Sequence, residues 1–528
     1  MAEPIGLQDA MRRPEWDKWK VAVDDEYNSL LENGTWSLVE CPAGRKLITN
    51  KWVFKLKSMP DGSTKYKARL VARGFTQVEG VDYKETFAPV VRYTSLRLLL
   101  AIANQRDMEV HQMDVKTAFL YGELEEEIYM KQPQGKEDPD QPNFVCKLHK
   151  SLYGLKQSPR CWNKKIHAFM EGQDLRRLVA DPALYTRGAG RQQVLLAIYV
   201  DDLLIAGEDK AEIVKVKQAL SSAFKMVDFG EVTTVLGIKV QRDRRAGLLT
   251  MSQKKYVEEV LARFGMEEAK PVAIPMATTT VLSKAQCPQN EEEARSMAGV
   301  PYRSLVGSLM YLMVSTRPDL AYPVGVLSRF LENPGRQHWE AGKRLLRYVL
   351  KTKSLGLAYR RVGSGTLEGV VVSGFVDASH GGCLDTTRST TGWVMMMGGA
   401  AVSWCSQRQS TTSLSTCESE FKAATEAVKE VEWQRNFLKE VGMEQEGPTV
   451  VYSDSRSALD LMAKEGFTSR TKHLDHKLHF IREHIQEGKV QFVHLAGEEM
   501  PADSLTKALP KDKLEAHMRS MGLFPVTV

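Results

Sequence analysis

The sequence lacks several features that mark specialised classes of protein. Its 528 residues contain only seven cysteines, and no two of them form a Cys-x-x-Cys pair. An odd number of scattered cysteines argues against a disulfide framework and against a zinc ribbon. No uncharged apolar run approaches the roughly 18 residues that a membrane span needs, and residues 1–9 lack the pattern of a signal peptide. These absences predict a soluble intracellular protein.

Neither sign of charge dominates, and we find no low-complexity tract or internal repeat. Lysine and arginine exceed aspartate and glutamate by six, an excess that fits a partner with a phosphate backbone without requiring one. The length predicts roughly two to four domains. The polar, proline-containing stretch from Lys270 to Glu293 is the clearest linker, and a predominantly helical block is expected from Tyr302 to about Val349.

An apolar run from Val194 to Gly207 carries two adjacent acids, Asp201 and Asp202, near its middle. The run predicts a strand, a turn and a second strand in a buried sheet. Neighbouring carboxylates repel each other unless a cation neutralises them, and a divalent metal held by carboxylates suggests phosphoryl transfer. An ordinary acidic turn explains these residues equally well.

Two upstream elements favour the metal. A strand from Val110 ends at Asp114 and a turn leads to Phe119, and the segment Ser151–Arg160 contains a glycine and a lysine before a helix. A strand-borne acid, a glycine–lysine loop and an acidic hairpin, in this order, are typical of a nucleotide polymerase palm.

Further elements precede this set. A helical pattern runs from Pro14 to Leu31, and Lys51–Lys57 with Tyr66–Arg73 predict a basic hairpin. The hairpin could hold a phosphate backbone, or it could be a solvated edge that lysines protect from association.

A second ordered set of acids occurs after residue 370. Asp377 ends a strand, Glu420 lies in the first turn of a helix, Asp454 follows another strand, and Asp503 follows Pro501 at the start of a last helix. Singly, these acids are explained as helix caps or as favourable charges at helix starts. Together they suit one more metal site.

From about Trp16 to Pro510 the sequence resembles the reverse transcriptase and ribonuclease H portion of the Pol polyprotein of copia-type LTR retrotransposons. The segments that carry the resemblance are Lys51–Lys55, Tyr66–Ala72, Glu85–Val90, His111–Leu120, Ser151–Arg160, Tyr199–Asp202, Arg317–Asp319 and Thr471–Asp475. The resemblance implies an α/β (α+β) multidomain fold, with right-hand polymerase fingers, palm and thumb followed by a ribonuclease H-like mixed sheet. The implied domains are 14–275 for the reverse transcriptase fingers, palm and start of the thumb, 276–366 for a linker and helical thumb/connection block, and 367–512 for the ribonuclease H-like domain.

The resemblance also implies roles for individual residues. At a first site Asp114 and Asp201 would hold two Mg²⁺ ions, with Asp202 as the weaker ligand and Mn²⁺ as the alternative ion. The ligands that it implies for two ions at a second site are Asp377, Glu420, Asp454 and Asp503. The residues that it implies as nucleotide or nucleic-acid contacts are Arg69, Arg73, Phe119, Gly154, Lys156, Tyr199 and His473.

The function implied is the copying of retrotransposon RNA into DNA, together with degradation of RNA in the RNA–DNA hybrid. The expected substrates and partners are an RNA template, a DNA primer, dNTPs and other Pol or Gag products, with no membrane partner. The expected compartment is a cytoplasmic virus-like particle, with the nucleus as a second location. A catalytically inactive nucleic-acid-binding remnant is the alternative. The absence of Asp-Thr-Gly or Asp-Ser-Gly protease turns suggests a processed product, a truncated gene model or an isolated insertion.

Overall fold

In the computed structural model, the described residues are 2–58, 63–363, 372–463 and 475–526. The strands, numbered in chain order, are β1 (Trp36–Val39), β2 (Asn50–Ser58), β3 (Thr64–Ala72), β4 (Glu109–Val115), β5 (Glu123–Met130), β6 (Val145–Lys150), β7 (Arg176–Arg177), β8 (Leu184–Arg187), β9 (Val194–Tyr199), β10 (Asp202–Gly207), β11 (Met226–Glu231), β12 (Thr234–Val235), β13 (Ile238–Asp243), β14 (Leu248–Ser252), β15 (Leu355–Arg360), β16 (Ser373–Ser379), β17 (Thr390–Met397), β18 (Ala400–Arg408), β19 (Thr449–Ser453), β20 (Val490–His494) and β21 (Leu523–Pro525). The helices are α1 (Leu7–Met11), α2 (Trp16–Glu32), α3 (Tyr93–Gln105), α4 (Ser158–Glu171), α5 (Lys210–Ala223), α6 (Lys254–Arg263), α7 (Glu291–Met297), α8 (Tyr302–Ser315), α9 (Ala321–Ser328), α10 (Arg336–Lys351), α11 (Thr416–Glu440), α12 (Arg456–Ala463), α13 (Asp475–Gln486) and α14 (Lys511–Ser520). None of the helices described here is long and apolar enough to cross a membrane.

The six-stranded sheet has the antiparallel order β11-β4-β10-β9-β8-β7. Successive residues of β10 alternate between two cores: Leu203 and Ile205 join α4 and α5, whereas Leu204 and Ala206 join α3. Because both faces of the sheet are covered, the central strands β9 and β10 are apolar from Val194 to Ile198 and from Leu203 to Ala206. The predicted strand, turn and strand are confirmed as β9 and β10.

The N-terminal region packs around α2, which confirms the predicted first helix. The Trp19 ring lies edge-on to Phe54 and Tyr66, with centroid separations of 5.2 and 4.6 Å. Strands β2 and β3 form the predicted basic hairpin, and β1, β6 and β5 form a three-stranded sheet beside it. This region shares an apolar core of its own.

The mixed sheet has the order β18-β17-β16-β19-β20, with β16, β19 and β20 parallel and β16, β17 and β18 antiparallel. It confirms the predicted mixed sheet, and its strand β16 begins at Ser373, while residues 364–371 lie outside the described ranges. The predicted last helix is instead a short 3₁₀ helix, Pro501–Leu505, followed by α14. Pro510 separates the two, since proline cannot donate a helical hydrogen bond.

The bridging sheet, β12-β13-β14-β15-β21, joins distant parts of the chain. Strands β15 and β21 were not predicted, and β21 lies beyond residue 512. The apolar core around this sheet also contains residues of α3, α8, α9, α10 and the mixed sheet. Helices α8, α9 and α10 confirm the predicted helical block. The bridging sheet joins strands from either side of the predicted domain boundaries, which remain predictions.

Candidate active sites

The first carboxylate site lies at the turn between β9 and β10. Asp202 opens β10 directly opposite Asp114 of β4, and Asp201 lies in the turn, where its carbonyl accepts a hydrogen bond from Val115 N–H at 2.9 Å. Val200, the other turn residue, has φ 57°. A positive φ is a genuine outlier for a β-branched residue and must be held by its surroundings. The Trp162 indole holds it here by donating to the Val200 carbonyl at 2.7 Å.

Asp114 and Asp201 line one cavity of about 770 Å³. The Asp202 side chain is not part of that lining; its carboxylate accepts a hydrogen bond from Gln112 Nε2 at 3.1 Å. A second, basic wall comes from the β2–β3 hairpin with Lys57, Lys65, Lys67 and Arg69, while Asp25 and Glu26 of α2 also line the cavity. An acidic floor thus faces a basic wall across a space large enough for a phosphorylated ligand.

The electrostatics of the first site favour a bound cation. Burial raises the pKa of Asp114, and the charge of Asp201 raises it further. Burial likewise raises the pKa of Asp202. On the facing wall, burial and the neighbouring Arg69 lower the pKa of Lys67. Carboxylates whose pKa is raised by burial and mutual repulsion fit a divalent metal, because its charge stabilises their ionised form.

The predicted nucleotide contacts fall into two groups. The Arg69 guanidinium lies 4.5 Å from the centroid of the Tyr153 ring, and Arg69 Nε has no hydrogen-bond partner within the described residues. Phe119 packs edge-on against the same Tyr153 ring at 5.0 Å. Of the predicted contacts Arg69, Phe119, Arg73 and Tyr199, only Arg69 is part of the cavity lining. Arg73 is exposed, while Tyr199 is half-buried and packs against the main apolar core.

Gly154 and Lys156 lie beside the β2–β3 hairpin, outside the lining of the cavity. Gly154 has φ 95°, and a Cβ atom there would lie 2.1 Å from the Ala72 carbonyl oxygen. Lys156 Nζ donates to the Tyr83 hydroxyl at 2.9 Å. Glycine is therefore required by the close approach of this loop to β3. The remaining predicted contact, His473, lies outside the described residues.

The second carboxylate site is built on β16, after the end of β19, on α11 and on the 3₁₀ helix. Glu420 is the fifth residue of α11, so the prediction that it lies in the first turn is wrong; the acid in the first turn is Glu418. Among the described residues, one oxygen each of Asp377, Asp454 and Asp503 all lie within 4.8 Å of one another. Asp377 and Asp503 are each 2% exposed. Glu420 is also buried, and its Oε2 atom has no hydrogen-bond partner in the described part of the chain. Three converging carboxylates beside an unpartnered fourth fit a divalent metal by donor type.

Burial dominates the electrostatics of this site. It raises the pKa of Asp377 to about 6. Burial, followed by the charges of Asp377 and Asp454, raises the pKa of Glu420 to about 9. Burial and the charge of Asp503 raise the pKa of Asp454.

Two lysines that the sequence analysis missed contact this site. Lys507 Nζ lies 2.8 Å from Asp503 and 3.8 Å from Asp377, and Lys513 Nζ lies 2.6 Å from Asp503. The i, i+4 spacing of Asp503 and Lys507 was the available signal. The Thr506 hydroxyl donates to Asp377. His494 ends β20, with its Nε2 atom 3.4 Å from Arg456 Nε.

A larger cavity, of about 910 Å³, lies between the edge of the six-stranded sheet and the end of α11. None of the predicted site residues lines it. Its arginines already have partners: Arg106 lies 2.7 Å from Glu208, and Arg187 lies 3.1 Å from Glu212. The cavity therefore offers no ready anion site.

Comparisons with known proteins find similar sequences over most of the chain. A family described as reverse transcriptase (RNA-dependent DNA polymerase) matches residues 33–278. The chain is 46% identical over 525 residues to the Retrovirus-related Pol polyprotein from transposon TNT 1-94 of Nicotiana tabacum, covering 99% of this chain and 39% of that protein. It is 34% identical over 320 residues to a putative Ty5-1 transposon protein of Saccharomyces cerevisiae, covering 60% of this chain and 100% of that protein. A foamy viral protease-reverse transcriptase solved with double-stranded DNA aligns at 12% identity and a TM-score of 0.46, covering 90% of this chain and 83% of that chain. The chain thus spans about two fifths of the length of the tobacco relative.

Proposed function

Because this chain belongs to the reverse transcriptase family of copia-type retrotransposon Pol polyproteins, we propose that it is an RNA-directed DNA polymerase that also degrades RNA in the RNA–DNA hybrid. The observation that carries the polymerase proposal is the cavity in which Asp114 and Asp201 face the basic wall of the β2–β3 hairpin. Binding of a metal-bound triphosphate needs carboxylates that hold the metal and cations that contact the phosphates, and this cavity has both. The alternative, an inactive remnant, would have no use for the two acids at the cavity floor.

At the first site, Asp114 and Asp201 would hold magnesium and Asp202 would support them. The bound metal would supply activation of the primer 3′-hydroxyl and stabilisation of charge on the transferred phosphoryl group. Arg69 and Lys67 would contact the triphosphate from the facing wall. Phe119, against Tyr153, would lie under the sugar and disfavour a 2′-hydroxyl. Efficient incorporation of ribonucleotides would contradict that role.

At the second site, Asp377, Glu420, Asp454 and Asp503 would hold the metal for cleavage of RNA. The raised pKa values of Asp377, Glu420 and Asp454 support this role, because strongly perturbed acids that share one site are typical of catalytic centres. Lys507 and Lys513 would balance the negative charge of Asp503 when no metal is bound.

The substrates proposed are an RNA template, a DNA primer, dNTPs and the RNA–DNA hybrid. Binding should weaken steeply with salt, since each lysine or arginine that contacts a phosphate displaces counterions. A cytoplasmic virus-like particle, later nuclear import, and other Pol or Gag products are the compartment and partners that we propose from family membership.

Primer extension on an RNA template by the purified chain tests the polymerase. The expected result is Mg²⁺-dependent extension by the wild type and its loss in Asp201→Asn, with binding to a labelled RNA–DNA hybrid retained. A wild type that binds hybrid but neither extends the primer nor cleaves RNA would support the remnant instead.

A further inference from the structure

The carboxyl end of α11 is attached to the edge of the six-stranded sheet by directed hydrogen bonds. The Glu440 carboxylate accepts from two successive backbone amides, Val179 N–H at 2.6 Å and Ala180 N–H at 3.0 Å. In return, the Arg176 guanidinium donates to the Glu440 carbonyl at 2.9 Å. The Gln193 amide donates to the Val441 carbonyl at 2.8 Å. We call this group of contacts, Arg176–Ala180 and Gln193 with Glu440 and Val441, the latch.

Aromatic and buried cationic side chains extend the attachment on both sides. The Trp433 indole of α11 donates to the Ala180 carbonyl at 2.8 Å, and the Arg92 guanidinium lies 5.5 Å from the centroid of the Trp433 ring. Arg97 of α3 donates to the Val402 carbonyl of β18 at 2.7 Å. The mixed sheet is therefore fixed to the polymerase part by side chains with defined partners as well as by apolar contact.

The latch lies at the junction of two stiff elements that each end at a carboxylate site. Helix α11 runs from Glu420 at the second site to Glu440, a length of about 30 Å at 1.5 Å per residue. Strand β9 begins beside Gln193 and leads to the turn that holds Asp201, a length of about 20 Å at ~3.3 Å per residue. The latch thus joins two rigid arms, so its geometry contributes to the separation of the two sites, together with the shared apolar core and the Arg97–Val402 hydrogen bond.

We propose that Glu440 is a positioning residue that sets the distance along the hybrid between the primer end and the RNA cut. The proposal rests on the proposed function, because it concerns the spacing between those two reactions. Glu440 touches no predicted substrate contact, so each reaction taken alone should not depend on it. Only the spacing between the two reactions should change when the latch opens.

The test uses the full chain on an RNA–DNA hybrid whose primer is stalled by a missing dNTP. We expect the wild type to leave RNA fragments of one narrow length range, measured from the primer end. Glu440→Ala should broaden that range, or shift it by two or more nucleotides, while primer extension and cleavage of hybrid without a recessed primer end stay within about twofold. Val179 and Ala180 donate to different oxygens of Glu440, so Glu440→Gln keeps one acceptor and turns an NH2 group toward the other amide, and it should restore the narrow range only in part.

Glu444→Gln is the matched control, because Glu444 pairs with Lys439 at 2.8 Å within its own domain. This control removes the same charge near the end of α11 and should leave the fragment lengths unchanged. Trp433→Phe is a second variant, which removes the indole N–H that donates to the Ala180 carbonyl but keeps an aromatic ring. It should broaden the range less than Glu440→Ala.

Hydrogen exchange of the Val179 and Ala180 amides reports on the latch without any catalysis. Glu440→Ala should accelerate exchange at both amides at least tenfold. Unchanged exchange would overturn the assignment of Glu440 as the latch residue, and faster exchange with wild-type fragment lengths would overturn its role in spacing. A wild type with scattered fragment lengths would overturn it as well. A wild type without extension or cleavage would count against the proposed function, and the exchange result would still decide the latch.

Discussion

The two carboxylate sites of this chain solve the same electrostatic problem in different ways. Asp377, Asp454 and Asp503 converge within 4.8 Å, and Lys507 and Lys513 lie in direct contact with Asp503. In the described residues, Asp114, Asp201 and Asp202 form no such triple. Their counter-charges stand on the opposite wall of a cavity of about 770 Å³.

The difference fits the functions that we propose for the two sites. If the first cavity accepts a metal-bound triphosphate, its cations line the space where the phosphates would lie and do not pair with the acids. At the second site Asp377 and Asp503 are each 2% exposed, and in the proposed function only the backbone of the hybrid would approach these acids. A site of the first kind is completed by substrate, whereas a site of the second kind is assembled by folding.

The largest expected effect breaks the comparison at the metal ligands. Asp201→Asn should lower primer extension more than about 100-fold, since even partners that only orient metal ligands are worth 10–100-fold. Hybrid cleavage should stay within about twofold, because distant substitutions are usually independent. Asp454→Asn should give the reverse pattern. Gel assays of both reactions on one hybrid measure this, and loss of both activities in either well-folded variant would refute the two-site partition.

A smaller effect is expected on the basic wall of the first site. Arg69→Ala should raise the KM for dNTP roughly 10-fold or more, because a hydrogen bond to a charged group contributes about 1.5–3 kcal/mol. Arg73→Ala is the control, since Arg73 is exposed and outside the cavity lining, and its KM should change less than about threefold. Steady-state primer extension at varied dNTP concentrations distinguishes the two. Equal effects of the two substitutions on KM would contradict the assignment of Arg69 as a triphosphate contact.

Gly154 tests the contact between the palm loop and the hairpin that carries the basic wall. Gly154→Ala places a Cβ atom 2.1 Å from the Ala72 carbonyl oxygen at φ 95°. It should destabilise the chain by more than the roughly 1–2 kcal/mol of a left-handed alanine. Gly80→Ala, at φ 79° with no atom within 4 Å, should show only that smaller cost. Urea unfolding of both variants compares them, and equal midpoints would mean that the loop moves away without penalty.

The smallest expected effect concerns the pH dependence of stability at the second site without metal. The folded protein holds the pKa of Glu420 near 9, against an ordinary value of 4.5. The folded state therefore binds the proton more tightly, and its stability falls as pH rises from about 4.5 toward 9. Glu420→Gln removes this loss. In EDTA its apparent melting midpoint should exceed that of the wild type at pH 8 and should be close to it at pH 5. An advantage that shrinks with pH would contradict the assigned environment.

The sequence predicted secondary structure correctly where the local pattern of apolar residues reflects which side chains are buried. The apolar run around Asp201 predicted β9 and β10 because both faces of that sheet are covered, and the spacing of aromatic residues predicted α2. The order of the acids predicted the elements that carry Asp377, Glu420 and Asp454, although Glu420 lies one turn further into α11 than expected and Asp503 lies on a 3₁₀ helix. These features are all decided within about a dozen residues of chain.

The rest depends on partners far away in the sequence. Strand β21 has three residues, and its only distinguishing property is its pairing with β15. The contact of Lys513 with Asp503 and that of Glu440 with Val179 depend on tertiary placement. Likewise, Gly154 is explained by the Ala72 carbonyl that approaches it, which no neighbouring residue reveals.

The pairing of β15 with β21 has a consequence for synthesis on the ribosome. Leu357 lies opposite Leu523, so roughly 160 residues must be translated after β15 before its partner exists. At roughly 5–20 residues per second, this interval is on the order of 10–30 seconds. Throughout it, β15 presents an unpaired edge of the kind that recruits strands from other molecules. A nascent chain therefore passes through a period of aggregation risk that ends only when Leu523–Pro525 closes the sheet, with a proline on the outermost strand where further pairing is discouraged.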